Sequence, residues 1–387
     1  MNVLVVSTLV PNPTGTSAGA IVMHGEARAI ARRHDVTIAT LATEADETAL
    51  RSLRDEGFRV HSVFRSRADG ALGFVRRASI GLNSHLHDLP LRTAIFRETE
   101  MQRTLDQLST GAFDVVHVLD NAMAGYRLPA ARARLLSEYE VRDEADEREK
   151  WHRYQAAVWK QFDRVQMFTD ADAETARRIA PPVAGRLRVN PFGVHVGELT
   201  LATAERPNSI VFVGGFRHPP NVDAALWLAD EIMPLIVRQH PGAQLTIVGA
   251  DVPDSVRARA SGAIEVVGRV DDVEPYVASA AVVVAPVRAG GGMRLKVLQA
   301  MAAARPVVTT TRGAAGVWNP LGAPTVLIAD DAVGIATHVS SLLGSSSARH
   351  ALGARARDAV MKHHRWDQFA ERLHAIYDEV LAPGAAA

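Results

Sequence analysis

The chain alternates short apolar runs with longer segments whose apolar residues recur at helical spacing. Val3–Ser7, Val36–Leu41, Val60–Phe64, Asp114–Leu119, Leu135–Tyr139 and Val165–Thr169 read as strands. Helix-like stretches lie between them at about 21–33 and 44–56, and the loop PNPTGTSAG follows the first strand. After the loosely patterned stretch Asn190–Asn208 the alternation begins again. Ser209–Gly214, Leu245–Gly249, Ile264–Gly268, Ala281–Ala285, Pro306–Thr310 and Thr325–Ile328 form a second strand series. A helix is predicted from Val222, where Val222, Ala225, Leu226, Ala229 and Ile232 keep an amphipathic period. Further helices are predicted at Ala332–Leu343 and Ala348–His363. Strands alternating with helices predict parallel sheets covered on both faces. The expected architecture is α/β, with two doubly wound domains facing each other across a cleft at the carboxyl ends of their strands.

Composition narrows the function classes. The 387 residues are 47% hydrophobic and 22% charged, enough apolar content for two substantial cores. Basic and acidic residues both number 43, so charge offers no case for nucleic acid as the partner. Cysteine is absent, which excludes disulfides and thiolate metal ligands and fits a reducing, cytoplasmic setting. MNVLVVST has no basic leader region and reads as a first strand, not a signal peptide. No run approaches the ~20 apolar residues that span a bilayer. The stretch RSRADGALGFVRR, Arg65–Arg77, reads first as a mobile loop; contact with anionic lipid or an acidic acceptor is the alternative.

The richest chemistry lies in APVRAGGGMRLKVLQAMAAARPVVTTT, Ala285–Thr311. A buried strand ends at Pro286, three glycines follow, and a helix opens with Arg294 and Lys296 before closing ahead of Pro306. Glycines before a helix N-terminus let backbone N–H groups approach an anion, and the helix dipole favours negative charge there. Lys296 and Gln299 are three residues apart and share a helix face; Leu295, Leu298 and Ala302 form the apolar stripe beside it. Neither the P-loop nor the dinucleotide fingerprint occurs. Tight turning alone is the competing account of the glycines. His24, His117 and His195 lack metal-ligand spacing, and Asp271-Asp272 and Asp330-Asp331 read as helix caps, so no metal site is expected.

The strings FVGGFRHPPNVDAALWLADEIMPLI, LTIVGA, IEVVGRVDDVEPYVASAAVVVAPVRAGGGMRLKVLQAMAAARPVVTTTRGAAG and HHRWDQFAERLHAIYDEVL follow one another over about 209–380. In this order they resemble the retaining glycosyltransferases of the GT-B fold, family 4, in the branch with a GGG-type loop. The resemblance implies two Rossmann-like domains: an acceptor-binding domain over 1–190, a linker over 191–208 and a donor-binding domain over 209–363. The last segment, 364–387, is expected to cross back to the first domain. The implied activity moves a sugar from a nucleotide-diphosphate donor to an acceptor hydroxyl with anomeric configuration kept, without cofactor or bound metal.

Carried over by position, Gly290, Gly291, Gly292 and Met293 would meet the donor diphosphate through backbone N–H groups. Arg294, Lys296 and Arg217 would neutralise its charge. Gly268 and Arg269 fall where the family holds the base, and Gly15 or Gly19 would approach from the first domain. Two departures stand out. The family often places glutamates where this chain has Gly291 and Gln299, and a histidine where it has Ser137-Glu138-Tyr139-Glu140. Asp120, His117 or Glu138 would then supply the polar contact at the reacting sugar. These departures also admit a catalytically weakened homologue acting as an auxiliary subunit, and a sugar-nucleotide epimerase is a second rival.

Overall fold

The computed structural model describes residues 1–14, 17–65, 80–82, 84–86, 88–143, 147–196 and 204–382. Gly15 and nearly all of the Arg65–Arg77 stretch lie outside them. The chain forms two compact units, one of Met1–Pro191 with Phe369–Ala387, the other Phe192–Gln368.

The first unit has a seven-stranded parallel sheet in the order β3-β2-β1-β4-β5-β6-β7. Its strands are β1 Asn2–Ser7, β2 Asp35–Ala42, β3 Arg59–Phe64, β4 Phe113–Leu119, β5 Ala131–Glu138, β6 Arg164–Met167 and β7 Leu187–Val189. Helices α1 Ala18–Ala31, α2 Glu47–Asp55, α3 Leu91–Ile95, α4 Thr99–Leu108, α5 Arg148–Trp159 and α6 Asp170–Ile179 connect them. β1 and β2 are buried from their second residue to their last, the signature of strands covered on both faces. Edge strand β3 alternates between exposed and covered positions instead. β7 is absent from the sequence reading because three residues, Leu187-Arg188-Val189, are too few to establish a period.

The second unit repeats the plan with six parallel strands in the order β10-β9-β8-β11-β12-β13. These are β8 Ser209–Val213, β9 Gln244–Val248, β10 Ile264–Gly268, β11 Val282–Ala285, β12 Val307–Thr309 and β13 Leu327–Ile328. Its helices are α7 Pro219–Trp227, α8 Met233–Gln239, α9 Asp254–Arg257, α10 Glu274–Ser279, α11 Leu295–Ala302, α12 Ala332–Leu343 and α13 Ser346–His363. α7 starts three residues before Val222, because Pro219 and Pro220 occupy its first turn, where a missing N–H costs nothing. A π turn, Leu228–Ile232, separates α7 from α8, which carries Pro234 in its first turn. Proline cannot donate to the carbonyl one turn back, and the wider turn absorbs that loss. Asp331 caps α12 by accepting from the Gly334 N–H at 2.7 Å, as a helix-capping aspartate should.

The final helix, α14 Trp366–Leu381, brings the chain back into the first unit at Phe369. A buried polar chain fastens it there. Tyr377 donates to His117 Nδ1 (2.7 Å), His117 Nε2 to Ser137 Oγ (2.8 Å), and Ser137 to Glu26 (2.5 Å). From the other side Arg372 donates to Asn190 (2.7 Å), Asn190 to Gln166 (2.8 Å) and Gln166 to Glu26 (2.8 Å). Donor and acceptor roles on the histidine follow from the network as a whole. Glu26 is the sink of both arms.

Backbone crowding at the strand ends of the second unit is as demanding as its core. Gly249 has φ +153°, and a Cβ there would lie 1.8 Å from the Gly214 carbonyl oxygen. Gly249→Ala should destabilise the second unit by about 3 kcal/mol, from overpacking plus backbone strain. Gly262→Ala, where a Cβ meets nothing within 4 Å, should stay within about 0.5 kcal/mol of wild type. Urea unfolding of the two variants checks the contrast; equal midpoints would disprove it.

Candidate active site

In each sheet the strand order reverses once, between β1 and β4 in the first unit and between β8 and β11 in the second. Loops leaving the carboxyl ends of two such strands diverge to opposite faces and open a crevice between them. The sequence-predicted residues distribute unevenly over these two points.

In the second unit the loop after β11 and the loop after β8 meet. Gly290 and Gly292 have φ of +84° and +77°, a conformation that side chains resist, so the loop requires glycine at both. Arg294 caps α11 and turns its guanidinium back into the loop. It donates to the carbonyls of Ala289 (3.2 Å), Gly290 (2.7 Å) and Gly291 (2.5 Å). Arg312 adds a bond to the Gly290 carbonyl at 3.3 Å. In a planar trans peptide the N–H points opposite to the C=O. The N–H groups of Gly290, Gly291 and Gly292 are therefore directed away from Arg294, toward the outer side of the curl. Arg294 thus shapes the loop through its two terminal guanidinium nitrogens.

Lys296 is the joint between the two loops. Its Nζ donates to Asn221 Oδ1 at 2.7 Å and lies 4.6 Å from the centroid of the Phe212 ring. Asn221 in turn donates to the Gly215 carbonyl at 2.8 Å, which fixes its amide. Desolvation, with the Arg294 charge adding to it, pulls the Lys296 pKa down to about 7. Among the described residues no carboxylate pairs with this ammonium. Asn221 and Phe212 were not singled out in the sequence; only their places beside the HPP turn and at a strand end hinted at them. Met293, in the loop two residues before α11, is buried, and Gln299, on the helix, is partly buried.

The other donor-side candidates sit further out. Arg217 follows β8 and pairs with Asp251 at 2.9 Å, with its side chain 75% exposed. Arg269 is exposed, and Gly268, with φ +87°, ends β10, two strands from the reversal. Gly19 lies in the first turn of α1, where a Cβ would make only ordinary contacts, the nearest 3.4 Å from Leu9.

In the first unit Asp120 stands at the carboxyl end of β4, at the reversal. Its φ of +84° turns the chain sharply, and Oδ1 accepts from the Ala122 N–H at 2.9 Å. Oδ2 is 3.8 Å from Arg92. The two other first-unit candidates are buried. His117 is fully buried between Tyr377 and Ser137, and burial lowers its pKa to about 3, so it is a neutral structural link. Glu138 is 2% exposed and held by Asn121 Nδ2 (2.6 Å) and Trp159 Nε1 (2.8 Å). Both side chains are buried, His117 within β4 and Glu138 as the last residue of β5.

Desolvation raises the Glu138 pKa to about 8. The folded chain then holds a proton there that the unfolded chain releases near the ordinary 4.5. The group's contribution to stability is fully present below about pH 4.5 and is lost as pH rises through about 8. Stability of wild type relative to Glu138→Gln should therefore fall steadily across that window. Chemical unfolding at stepped pH measures it; a flat difference would mean that Glu138 is ionised throughout.

Residues 207–345 match the family model described as glycosyl transferases group 1. A curated relative, a 44.6 kDa protein in the cps region of Klebsiella pneumoniae, is 26% identical over 140 residues. That match takes in 34% of this chain and 36% of the relative, so it spans about a third of the relative's length. Sucrose-phosphate synthase from Thermosynechococcus elongatus superposes with a TM-score of 0.71 at 16% identity, covering 99% of this chain and 100% of that one. HepE from Anabaena, solved with UDP and glucose, gives 0.70 at 10% identity, over 97% and 99% of the two chains. TarM from S. aureus, in a complex with Fondaparinux, alpha-GlcNAc-glycerol and UDP, gives 0.72 at 10% identity, over 98% and 100%. Among the described residues no helix is long and apolar enough to cross a membrane, and no cluster of three metal-binding side chains occurs. The chain thus has the two-domain GT-B fold, and its segment 207–345 matches the glycosyl transferases group 1 family.

Proposed function

We propose that the chain transfers a sugar from a nucleotide-diphosphate sugar to an acceptor hydroxyl, the second unit taking the donor and the first the acceptor. One observation carries this reading. At the reversal of the second sheet, Lys296 ties two strand-end loops together beside a glycine loop whose N–H groups are directed away from Arg294. Such an arrangement suits a diphosphate, whose charge would be met by a buried ammonium beside a helix N-terminus. The group 1 family match over the same segment supports it, and the UDP complex of Anabaena HepE makes UDP the first base to test.

In the proposed step the acceptor oxygen bonds to the anomeric carbon while the bond from that carbon to the diphosphate oxygen breaks. The bonding electrons leave with the diphosphate, and the acceptor proton passes to a phosphate oxygen. Stabilising that developing charge is the main electrostatic task, and Lys296 with the loop N–H groups would do it. Retention of configuration by attack on the departing face rests on the resemblance to family 4. Glycan or glycoconjugate assembly is the proposed setting, in keeping with the relative from the Klebsiella cps region; its place at the cytoplasmic face of a membrane is part of the proposal. Gln299, neutral where the family often has glutamate, is what favours the second reading, a binding subunit with weakened turnover.

Thermal-shift screening with UDP-, GDP- and dTDP-sugars tests the donor, since binding raises apparent stability by mass action. An anion bound at Lys296 favours its charged form, so above about pH 7 binding takes up a proton. Affinity for UDP should fall as pH rises from about 7 to about 9. Calorimetry near pH 8 in buffers of different ionisation heat should record up to one proton absorbed. Lys296→Gln should abolish the uptake and weaken UDP by about 1.5–3 kcal/mol. UDP binding with no proton uptake in wild type would remove Lys296 from the site.

Gln299 is assigned the ribose on family resemblance, and its substitution separates the two readings. Gln299→Glu should keep or tighten UDP binding, because an ionised acceptor bonds a hydroxyl more strongly. Gln299→Leu should lose about 1–3 kcal/mol. If both variants and wild type distinguish UDP from its 2′-deoxy and 3′-deoxy forms equally, Gln299 packs the helix and does not hold ribose.

A further inference from the structure

The carboxyl end of the first sheet carries a cation that no described residue balances. Arg97, just past α3, is partly buried, and its Nε has neither solvent nor a hydrogen-bond partner. Its guanidinium carbon lies 5.4 Å from the centroid of the Tyr126 ring. That ring is locked, because Tyr126 donates to the Phe96 carbonyl (2.5 Å) and accepts from the Glu98 N–H (2.7 Å). Gly125 leaves the space: a Cβ there would fall 2.3 Å from Arg97 NH2. The nearest polar neighbours have other partners. The Tyr154 hydroxyl donates to the Asn121 carbonyl at 2.8 Å, and Glu98 faces Arg65 at 3.5 Å.

Two more guanidiniums flank this place. Arg92 lies 3.8 Å from Asp120, and Arg142 pairs with Glu140 at 2.5 Å while lying 5.0 Å from the Trp151 ring centroid. Arg92 lies close enough to Arg142 for their like charges to oppose each other, and Arg97 and Asp120 both act electrostatically on Tyr154. Burial raises the Glu138 pKa to about 8, so its carboxyl resists ionisation. Arg92 and Arg142 thus each have a carboxylate, Asp120 and Glu140, whereas Arg97 has none paired with it among the described residues. A partly buried guanidinium without a counter-ion is costly, and its planar fork matches an oxyanion.

We propose that Arg97, flanked by Arg92 and Arg142, is an oxyanion subsite that selects an acceptor bearing a phosphate or carboxylate group. Calling the ligand an acceptor rests on the function proposed above; the subsite itself rests on Arg97, Gly125 and Tyr126. The preset ring and the glycine gap hold the guanidinium in place before the ligand arrives, so little ordering is lost on binding.

The test uses the full chain with nitrogen-labelled arginine, following the Arg97 Nε–H signal during titration with phenyl phosphate, benzoate and the neutral phenyl glucoside. Both anions should shift it saturably and the glucoside should not. Arg97→Gln should weaken phenyl phosphate about 10- to 100-fold, the equivalent of one charged hydrogen bond. Gly125→Ala, whose Cβ would fall 2.3 Å from an Arg97 terminal nitrogen and 3.2 Å from the Tyr154 hydroxyl, should displace the guanidinium and weaken phenyl phosphate in the same direction while leaving the chain folded. UDP affinity should be unchanged in both variants. No saturable shift would overturn the subsite. So would displacement of phenyl phosphate by UDP, which would make this a donor contact. A shift seen with phosphatidylglycerol vesicles but not with soluble phenyl phosphate would overturn it in favour of a membrane surface. Phenyl phosphate bound at Arg97 in a chain that fails to bind any nucleotide sugar would support the subsite and remove only its assignment to an acceptor.

Discussion

Both sheets are buried on both faces, and that constraint governs where polar chemistry can sit. A polar side chain in mid-strand has no water to turn to, so it must be paired internally or be excluded. His117, Ser137, Gln166 and Glu26 obey this in the first unit by forming one connected chain of hydrogen bonds. What remains for ligands is the rim of loops at the carboxyl strand ends, and within that rim the single reversal of strand order in each sheet. Lys296 and Asp120 stand at those reversals because β11 and β4 lead there.

The charge pattern at the two reversals follows from how each cation is supported. Arg294 gives its donors to three loop carbonyls and so builds the curl that turns N–H groups outward. Lys296, left with one neutral amide and an aromatic face, keeps a depressed pKa that an anion would raise. In the first unit Arg97 lies over a locked tyrosine with no carboxylate paired to it among the described residues, whereas Arg92 and Arg142 have Asp120 and Glu140. The same residue type therefore does three jobs: shaping a loop, pairing a carboxylate, and standing ready for a ligand. Which one applies is set by neighbours distant in sequence.

Much of the architecture was legible in the sequence. Long apolar runs such as Val36–Leu41 and Ala281–Ala285 marked buried strands, and Pro306 marked the end of α11. The glycine run was also legible, because φ values of +84° and +77° at Gly290 and Gly292 demand the residue that the sequence supplies. β7 was not legible, since three residues cannot show a period. The start of α7 was placed late because its first turn is proline, which apolar periodicity does not register.

The candidate site divides along the same line. By itself the sequence determined local matters: strand and helix alternation, the glycine loop before a cationic helix start, and the shared face of Lys296 and Gln299. These depend on contacts within a few residues, where spacing dictates geometry. Only the tertiary structure decided that Arg294 faces inward, that Asn221 meets Lys296 across 75 positions, and that His117 and Glu138 belong to the interior. Gly125 making room for Arg97 belongs with them. Burial and pairing between remote segments arise only when strands are set side by side, and a linear pattern of residue types carries no record of which neighbours that brings.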